Sequence, residues 1–282
     1  RWTQGTLAPI RQPPVVTNGL VLVSSTDRHL YAFDAEDGYR EWRVQFDAEP
    51  IFSVADGTVV VLTEYRVGTL DATTGKRLWN RETEANGHRP LVADGTVVLP
   101  ARVGSGGRVI ARSLSSGTKQ WEFNESGTDE RTIVVSQPAY ADGTVCVAAG
   151  KGNRRPSTRS SVYGLDAASG EKLWQTDLDA NFGETPLVAA GGYAVGAGDE
   201  DTLRAFDLTT GEQTWTRSDR NVDSLTGHGG RVYLGGNDVA ALDPASGRPD
   251  WTFDDDGSGY NRTFETPVFD GDSLFAVSAR VV

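Results

Sequence analysis

Apolar and polar positions along this chain fall into short runs, with no long one-sided face of the kind a helix would need. Two runs of Val, Leu, Ile and Tyr flank a turn pair in PIFSVADGTVVVL (50–62), PLVADGTVVLP (90–100), PAYADGTVCVA (138–148), PLVAAGGYAVGA (186–197) and PVFDGDSLFAV (267–277). PVVTNGLVLVS (14–24) and the weaker TGHGGRVYLGG (226–236) complete the set. An Asp-Gly, Asn-Gly or Gly-Gly pair between β-formers is a strong hairpin signal, because the tightest hairpin turn needs positive φ at both central residues. Proline heads the first of the two strands in six of the seven units, a place where no ladder donor is required.

A second frame follows each hairpin. It reads YAFDAEDGYREW (31–42), GTLDATTGKRLW (68–79), IARSLSSGTKQW (110–121), YGLDAASGEKLW (163–174), RAFDLTTGEQTW (204–215) and AALDPASGRPDW (240–251). An apolar residue followed by Asp ends one strand, the Asp side chain can bond the amides of the turn, and Gly38, Gly75, Gly117, Gly170, Gly211 and Gly247 supply positive φ where the turn closes. Each of these glycines stands four residues before a tryptophan, at Trp42, Trp79, Trp121, Trp174, Trp215 and Trp251, and Trp2 is a seventh. Each repeat therefore holds four strands, A to D, with the tryptophan on D. A period of about 40 residues containing four short strands predicts an all-β, seven-bladed β-propeller of four-stranded antiparallel blades, forming one domain over 1–282.

The two frames are offset. The chain opens on the D strand of Trp2 and ends with an A–B hairpin and what reads as the start of a C strand at Arg280 to Val282. Pairing of the two termini would close the ring and remove its exposed edges; part of an eight-bladed propeller is the alternative.

Leu70-Asp71-Ala72-Thr73-Thr74-Gly75-Lys76-Arg77-Leu78-Trp79 resembles the repeat of the pyrroloquinoline-quinone (PQQ) type propellers, and the resemblance covers nearly the whole chain. It implies that all seven tryptophans are structural, each packing between blades against the backbone near the glycine of the adjacent repeat. It also raises a PQQ-dependent quinoprotein oxidoreductase. Those enzymes carry an adjacent cysteine pair, whereas Cys146 is the only cysteine here, so PQQ is not expected. The non-catalytic members of the resemblance imply a protein- or ligand-binding scaffold in the cell envelope, like the lipoprotein of the outer-membrane assembly machine, or an extracellular sensor domain of a membrane kinase. No catalytic residue is assigned.

Composition adds a habitat and removes one partner. The net charge is −12, with only 4 Lys against 23 Arg and 25 Asp against 14 Glu. An Asp-rich, Lys-poor surface is typical of proteins from high salt, archaeal ones among them, where self-repulsion is screened. Nucleic acid is not expected, since phosphate contacts need a basic face. No apolar run is long enough to cross a membrane as a helix, so a membrane would be reached only through an anchor outside this segment. Neither a signal peptide nor an anchor is expected within the chain.

Strand order puts the D-to-A and B-to-C connections on one face, opposite the Asp-Gly turns, and loop-borne function belongs there. Two connections stand out. KGNRRPSTRS (151–160) gathers Lys151, Arg154, Arg155 and Arg159 in an acidic protein, a patch suited to an acidic partner or phosphate-bearing ligand, or a merely solvated insertion. DDDGSGYNRTFE (254–265) offers Asp254, Asp256, Ser258, Tyr260 through its carbonyl, and Glu265 in the ligand order of a calcium loop. Asn261 departs from that pattern, and flanking helices are not expected. The A-strand starts bring Gln12, Glu49, His88, Arg89, Gln137, Glu184 and Glu265 toward the channel mouth, where a small polar ligand or a peptide would bind. His29, His88 and His228 read as surface or packing residues.

Overall fold

The computed structural model describes the chain apart from residues 1, 86, 104–105, 125–131, 135, 152–158, 181, 183–185, 199–201, 219–221, 254–261, 265, 271–272, 277 and 281–282. All regular structure among the described residues is strand. The first sheet is β1 (Val15–Thr17), β2 (Leu20–Ser25), β3 (His29–Asp34) and β4 (Arg40–Gln45). The second is β5 (Ile51–Ala55), β6 (Thr58–Leu62), β7 (Arg66–Asp71) and β8 (Arg77–Glu82). The third is β9 (Leu91–Ala93), β10 (Thr96–Val103), β11 (Gly106–Ser113) and β12 (Lys119–Phe123). In the fourth, β13 (Thr132–Val134) and β14 (Ala139–Ala141) both pair β15 (Thr144–Lys151), followed by β16 (Arg159–Asp166) and β17 (Lys172–Leu178). The fifth is β18 (Val188–Ala190), β19 (Tyr193–Gly198), β20 (Thr202–Asp207) and β21 (Gln213–Ser218). The sixth is β22 (Val222–His228), β23 (Arg231–Gly236), β24 (Val239–Leu242) and β25 (Pro249–Phe253). Last come β26 (Arg262–Phe264), β27 (Val268–Asp270), β28 (Ser273–Phe275) and β29 (Ser278–Arg280), where β26 pairs β29 and β27 pairs β28. Among the described residues, six complete four-strand units and the A–B hairpin of a seventh result, all antiparallel.

The A strands begin earlier than their prolines suggest. In the fourth sheet the strand is interrupted around Pro138 and resumes upstream as β13, with Ile133 opposite Gly150. Single bridges Ala85↔Ala101 and Phe182↔Gly198 mark the same extension before Pro90 and Pro186. Proline has no N–H to give and biases the residue before it, so it breaks the ladder without ending the path of the strand. β22, which lacks proline, runs unbroken. The same extension corrects the reading of the C-terminus: Arg280 pairs with Arg262 across β29 and β26, so it continues the B strand and does not begin a C strand. The expected opening D strand is not formed, because Trp2 lies in no strand and the first strand begins at Val15; residues 281–282, the other half of the expected ring closure, lie outside the described residues.

The chain forms two compact units, Arg1–Gly104 with Arg108–Asn124, and Ser105–Gly107 with Glu125–Val282. Within the first, Leu20, Leu22, Leu30, Ala32 and Trp42 meet Phe52, Val59, Val61 and Leu70. Val60, Leu62, Val67 and Trp79 meet Val97, Leu99, Ile110 and Leu114. Successive side chains of a strand point to opposite faces, so β6 serves two neighbours at once and reads TVVVL without alternation. In the second unit Cys146, Val162 and Trp174 pack with Leu187, Ala194 and Phe206, and Val195, Leu203 and Ala205 with Leu225, Val232 and Leu242.

Tryptophan fastens one sheet to the next turn. The indole N–H of Trp2 donates to Ala35 O at 3.0 Å, Trp42 to Ala72 O at 3.0 Å and Trp79 to Leu114 O at 2.7 Å. Trp174 donates to Leu208 O and Trp215 to Pro244 O, both at 2.8 Å. The indole lies flat on the turn glycine: a Cβ added to Gly38, Gly75, Gly117, Gly211 or Gly247 would sit 2.4 to 2.8 Å from a ring atom. Trp251 differs. It is 42% exposed and meets Tyr233 with ring centroids 6.1 Å apart, and no further small-apolar-Asp frame follows it in the sequence.

Candidate functional site

The end of each sheet that carries the Asp-Gly turns is closed by local hydrogen bonds. Asn18 and Gly19 (φ 48° and 74°), Asp56 and Gly57 (49° and 69°) and Asp142 and Gly143 (49° and 77°) take positive φ at both positions, the tight turn their sequences call for. In the C–D turns, Asp71 Oδ1 accepts from Thr74 N and Oγ1 at 2.8 and 2.7 Å, and Asp166 Oδ1 from Ser169 N and Oγ at 2.8 and 2.7 Å. Such bonds favour the ionised carboxylate: the Thr74 hydroxyl first and its amide next hold Asp71 below the usual range, and Ser169 does the same for Asp166. These turns are occupied with their own backbone.

At the opposite end the A-strand starts of the first unit are tied together. Gln12 Nε2 donates to Pro50 O at 3.0 Å, and Ser53 Oγ to Pro90 O at 2.6 Å. Glu49 pairs with Arg11 at 3.8 Å. His88 and Arg89 are half-buried beside Pro90, and burial pushes the Arg89 guanidinium below the ordinary arginine range. Gln137 is half-buried before Pro138 in the second unit; Glu184 lies outside the described residues. Of the basic hairpin, Lys151 sits opposite Arg159 in the β15–β16 ladder. Arg159 pairs with Asp179 at 3.4 Å through exposed side chains, and Arg154 and Arg155 lie outside the described residues. So does the calcium loop, with Asp254, Asp256, Ser258, Tyr260 and Glu265. Among the described residues no group of three His, Cys, Asp or Glu side chains is placed to hold a metal.

The histidines have packing partners. His29 Nδ1 lies 3.0 Å from Asp27 O, and His228 stacks on Phe269 with centroids 4.0 Å apart. Cys146 is fully buried in β15, and burial pushes its thiol far above the usual range. Cys146, the one cysteine of the 282 residues, faces the core and has no neighbour with which to form the adjacent pair that the quinoprotein resemblance calls for.

Sequence reading missed two recesses in the first unit. A cavity of about 220 Å³ lies against Phe46, Val61, Gly68 and Arg77. A groove of about 720 Å³ is lined by Arg66, Glu82, Arg108, Arg112, Lys119 and Glu122, among others. In the groove Glu122 accepts from Arg108 at 2.8 Å and from Lys119 at 2.9 Å. Lys119, with Arg108, holds Glu122 below the carboxylate range. Both recesses draw on residues of two or three sheets, and no contiguous stretch of sequence announces either of them.

The family model described as outer membrane protein assembly factor BamB matches residues 1–53, 45–155 and 154–282. The chain belongs to this family. It is 25% identical over 232 residues to BamB of Bordetella pertussis, covering 80% of this chain and 49% of that protein. It is 30% identical over 194 residues to the serine/threonine-protein kinase AfsK of Streptomyces griseus, covering 64% of this chain and 23% of the kinase. The chain thus spans about half of one relative and a quarter of the other. The crystal structure of BamB from Moraxella catarrhalis superposes with a TM-score of 0.68 at 19% identity, over 92% of this chain and 78% of that one. The fold is accordingly the BamB-type β-propeller of four-stranded antiparallel blades.

Proposed function

We propose that this BamB-family chain is a non-catalytic scaffold of the cell envelope, holding a protein partner on the face formed by its D-to-A and B-to-C connections. The family match along the full length of the chain carries this reading, and the lone, core-facing Cys146 supports it against quinoprotein chemistry. Lys151, Arg154, Arg155 and Arg159 would engage acidic groups of the partner. Gln12, Glu49, His88, Arg89, Gln137 and Glu184 would line the mouth beside them. Calcium at Asp254, Asp256, Ser258, Tyr260 and Glu265 is proposed from their spacing alone.

Cross-linking in native envelopes tests this. One defined protein is expected to be captured by the chain, and deletion of residues 152–158 is expected to leave folding intact and lower that capture several-fold. Dye reduction with alcohols or sugars after adding PQQ and Ca²⁺ would overturn the reading. A second reading, the sensor module of a membrane kinase, is favoured by the AfsK match, and a kinase domain elsewhere in the same gene would select it.

A further inference from the structure

One position of the repeat varies more than its neighbours. The third residue before the turn Asp, or before its counterpart Ser113, is Tyr31, Gly68, Ile110, Tyr163, Arg204 and Ala240 in successive sheets. Each pairs across the C–D ladder with the residue after the tryptophan: Tyr31 with Arg43, Gly68 with Asn80, Tyr163 with Gln175. Leu70, two residues beyond Gly68, belongs to the cluster shared with the first sheet. Residues two apart share a strand face, so Gly68 looks toward the first sheet.

In the fourth sheet this place is filled. Tyr163 is fully buried, and Lys172 Nζ stands 6.0 Å from its ring centroid. In the second sheet there is no side chain at Gly68, and Arg77, the counterpart of Lys172, lies over Phe46 instead, 4.7 Å from the ring centroid, with Nη2 on Gln45 O at 2.5 Å. The unfilled space is the cavity of about 220 Å³, with Phe46, Val61 and Leu70 as its apolar walls and Arg66, Arg77 and Asn80 as its polar ones. Gln45, Asp47, Arg77 and Asn80 are exposed, so solvent reaches the mouth.

We infer that this cavity receives an aromatic side chain, a tyrosine above all, from a partner polypeptide, in the space that the chain's own tyrosine occupies at the equivalent position of the fourth sheet. The inference rests on the scaffold reading and names the chemistry of what is held. Apolar walls cover the ring, and the two guanidinium groups attract its face or its phenol oxygen. Buried aromatic anchors of this kind dominate protein interfaces. A polypeptide is specified because β8, which carries Arg77 and Asn80, is the outer strand of its sheet order and offers a backbone edge beside the mouth.

Amide NMR of the intact chain titrated with N-acetyl-tyrosinamide tests this directly. Saturable shifts are expected at Phe46, Arg66, Gly68 and Asn80, with a dissociation constant on the order of 1 mM for so small a ligand, and none with N-acetyl-alaninamide. A capped Val-Tyr-Val tripeptide is expected to bind several-fold tighter; equal affinity would assign the cavity to free phenols and overturn the polypeptide occupant. Gly68→Tyr fills the space and is expected to abolish binding. Its Cβ would lie 2.8 Å from Trp79 O, so Arg77→Gln, which copies Gln213 of the fifth sheet, is the unstrained companion, expected to weaken binding at least threefold with Tm unchanged. No saturable shift in the unaltered chain, or full binding by a folded Gly68→Tyr, overturns the inference. If the probe fails while partner capture persists, the ring pocket falls and the scaffold reading stands.

Discussion

Trp42 and Gly75 show how one pair of side chains decides where two sheets meet. The indole satisfies Ala72 O and lies where any Cβ on Gly75 would be, 2.8 Å from Cδ2, while Gly75 itself holds φ at +69°. Gly75→Ala therefore combines a clash with left-handed strain, and is expected to cost about 2 kcal/mol or more in chemical denaturation. Trp42→Phe keeps most of the packing and orphans the buried carbonyl, a loss of about 1–3 kcal/mol. Thiol reagents should leave Cys146 untouched until denaturant is added, because neither access nor ionisation is available to it. The turn aspartates set the response to acid. The folded pKa values of Asp71, Asp166, Asp207 and Asp243 lie below the ordinary ones, so the contribution of these four is complete above the unfolded pKa and is lost as pH falls through the lower, folded one. Melting scans should be flat above about pH 5 and decline below about pH 4, less steeply in Asp166→Asn.

Strands were legible in this sequence because their turns are. Asp-Gly pairs and small-apolar-Asp frames fixed the A–B and C–D hairpins, and the observed ladders follow them. Two features were hidden. The A strands run upstream through their prolines, since a proline removes one donor without diverting the chain. Every complete sheet also carries a β-bulge at the same place, between Ala32 and Phe33, Thr69 and Leu70, and at the equivalents Ala111, Gly164, Ala205 and Ala241. The extra residue on the D strand carries no pattern because it faces neither neighbour. That is why Leu78 and Leu173 are each 52% exposed although both precede a buried tryptophan. Leu173→Ser is accordingly expected to change stability by no more than about 0.5 kcal/mol in urea titrations, where a core leucine would lose several times that.

For the molecule as a whole, charge was legible and the recesses were not. A net −12 concentrated in Asp is expected to make Tm rise as KCl is raised, through screening of like charges. The Gly68 cavity and the Arg112 groove escaped notice because each is assembled from strands of separate repeats, and a glycine in a strand reads as a weakness until the register shows what it fails to fill. The bolting of a sheet by an indole onto the following turn, as at Trp42, Trp79, Trp174 and Trp215, has a further outcome. One end of each blade docked in this way is locked by its neighbour and tolerates little novelty at Thr73 or Thr209, whereas the end beyond Asp27 and Tyr65 can be rewritten residue by residue while the frame stands. Foreign recognition loops grafted there should inherit a ready-made rigid mount.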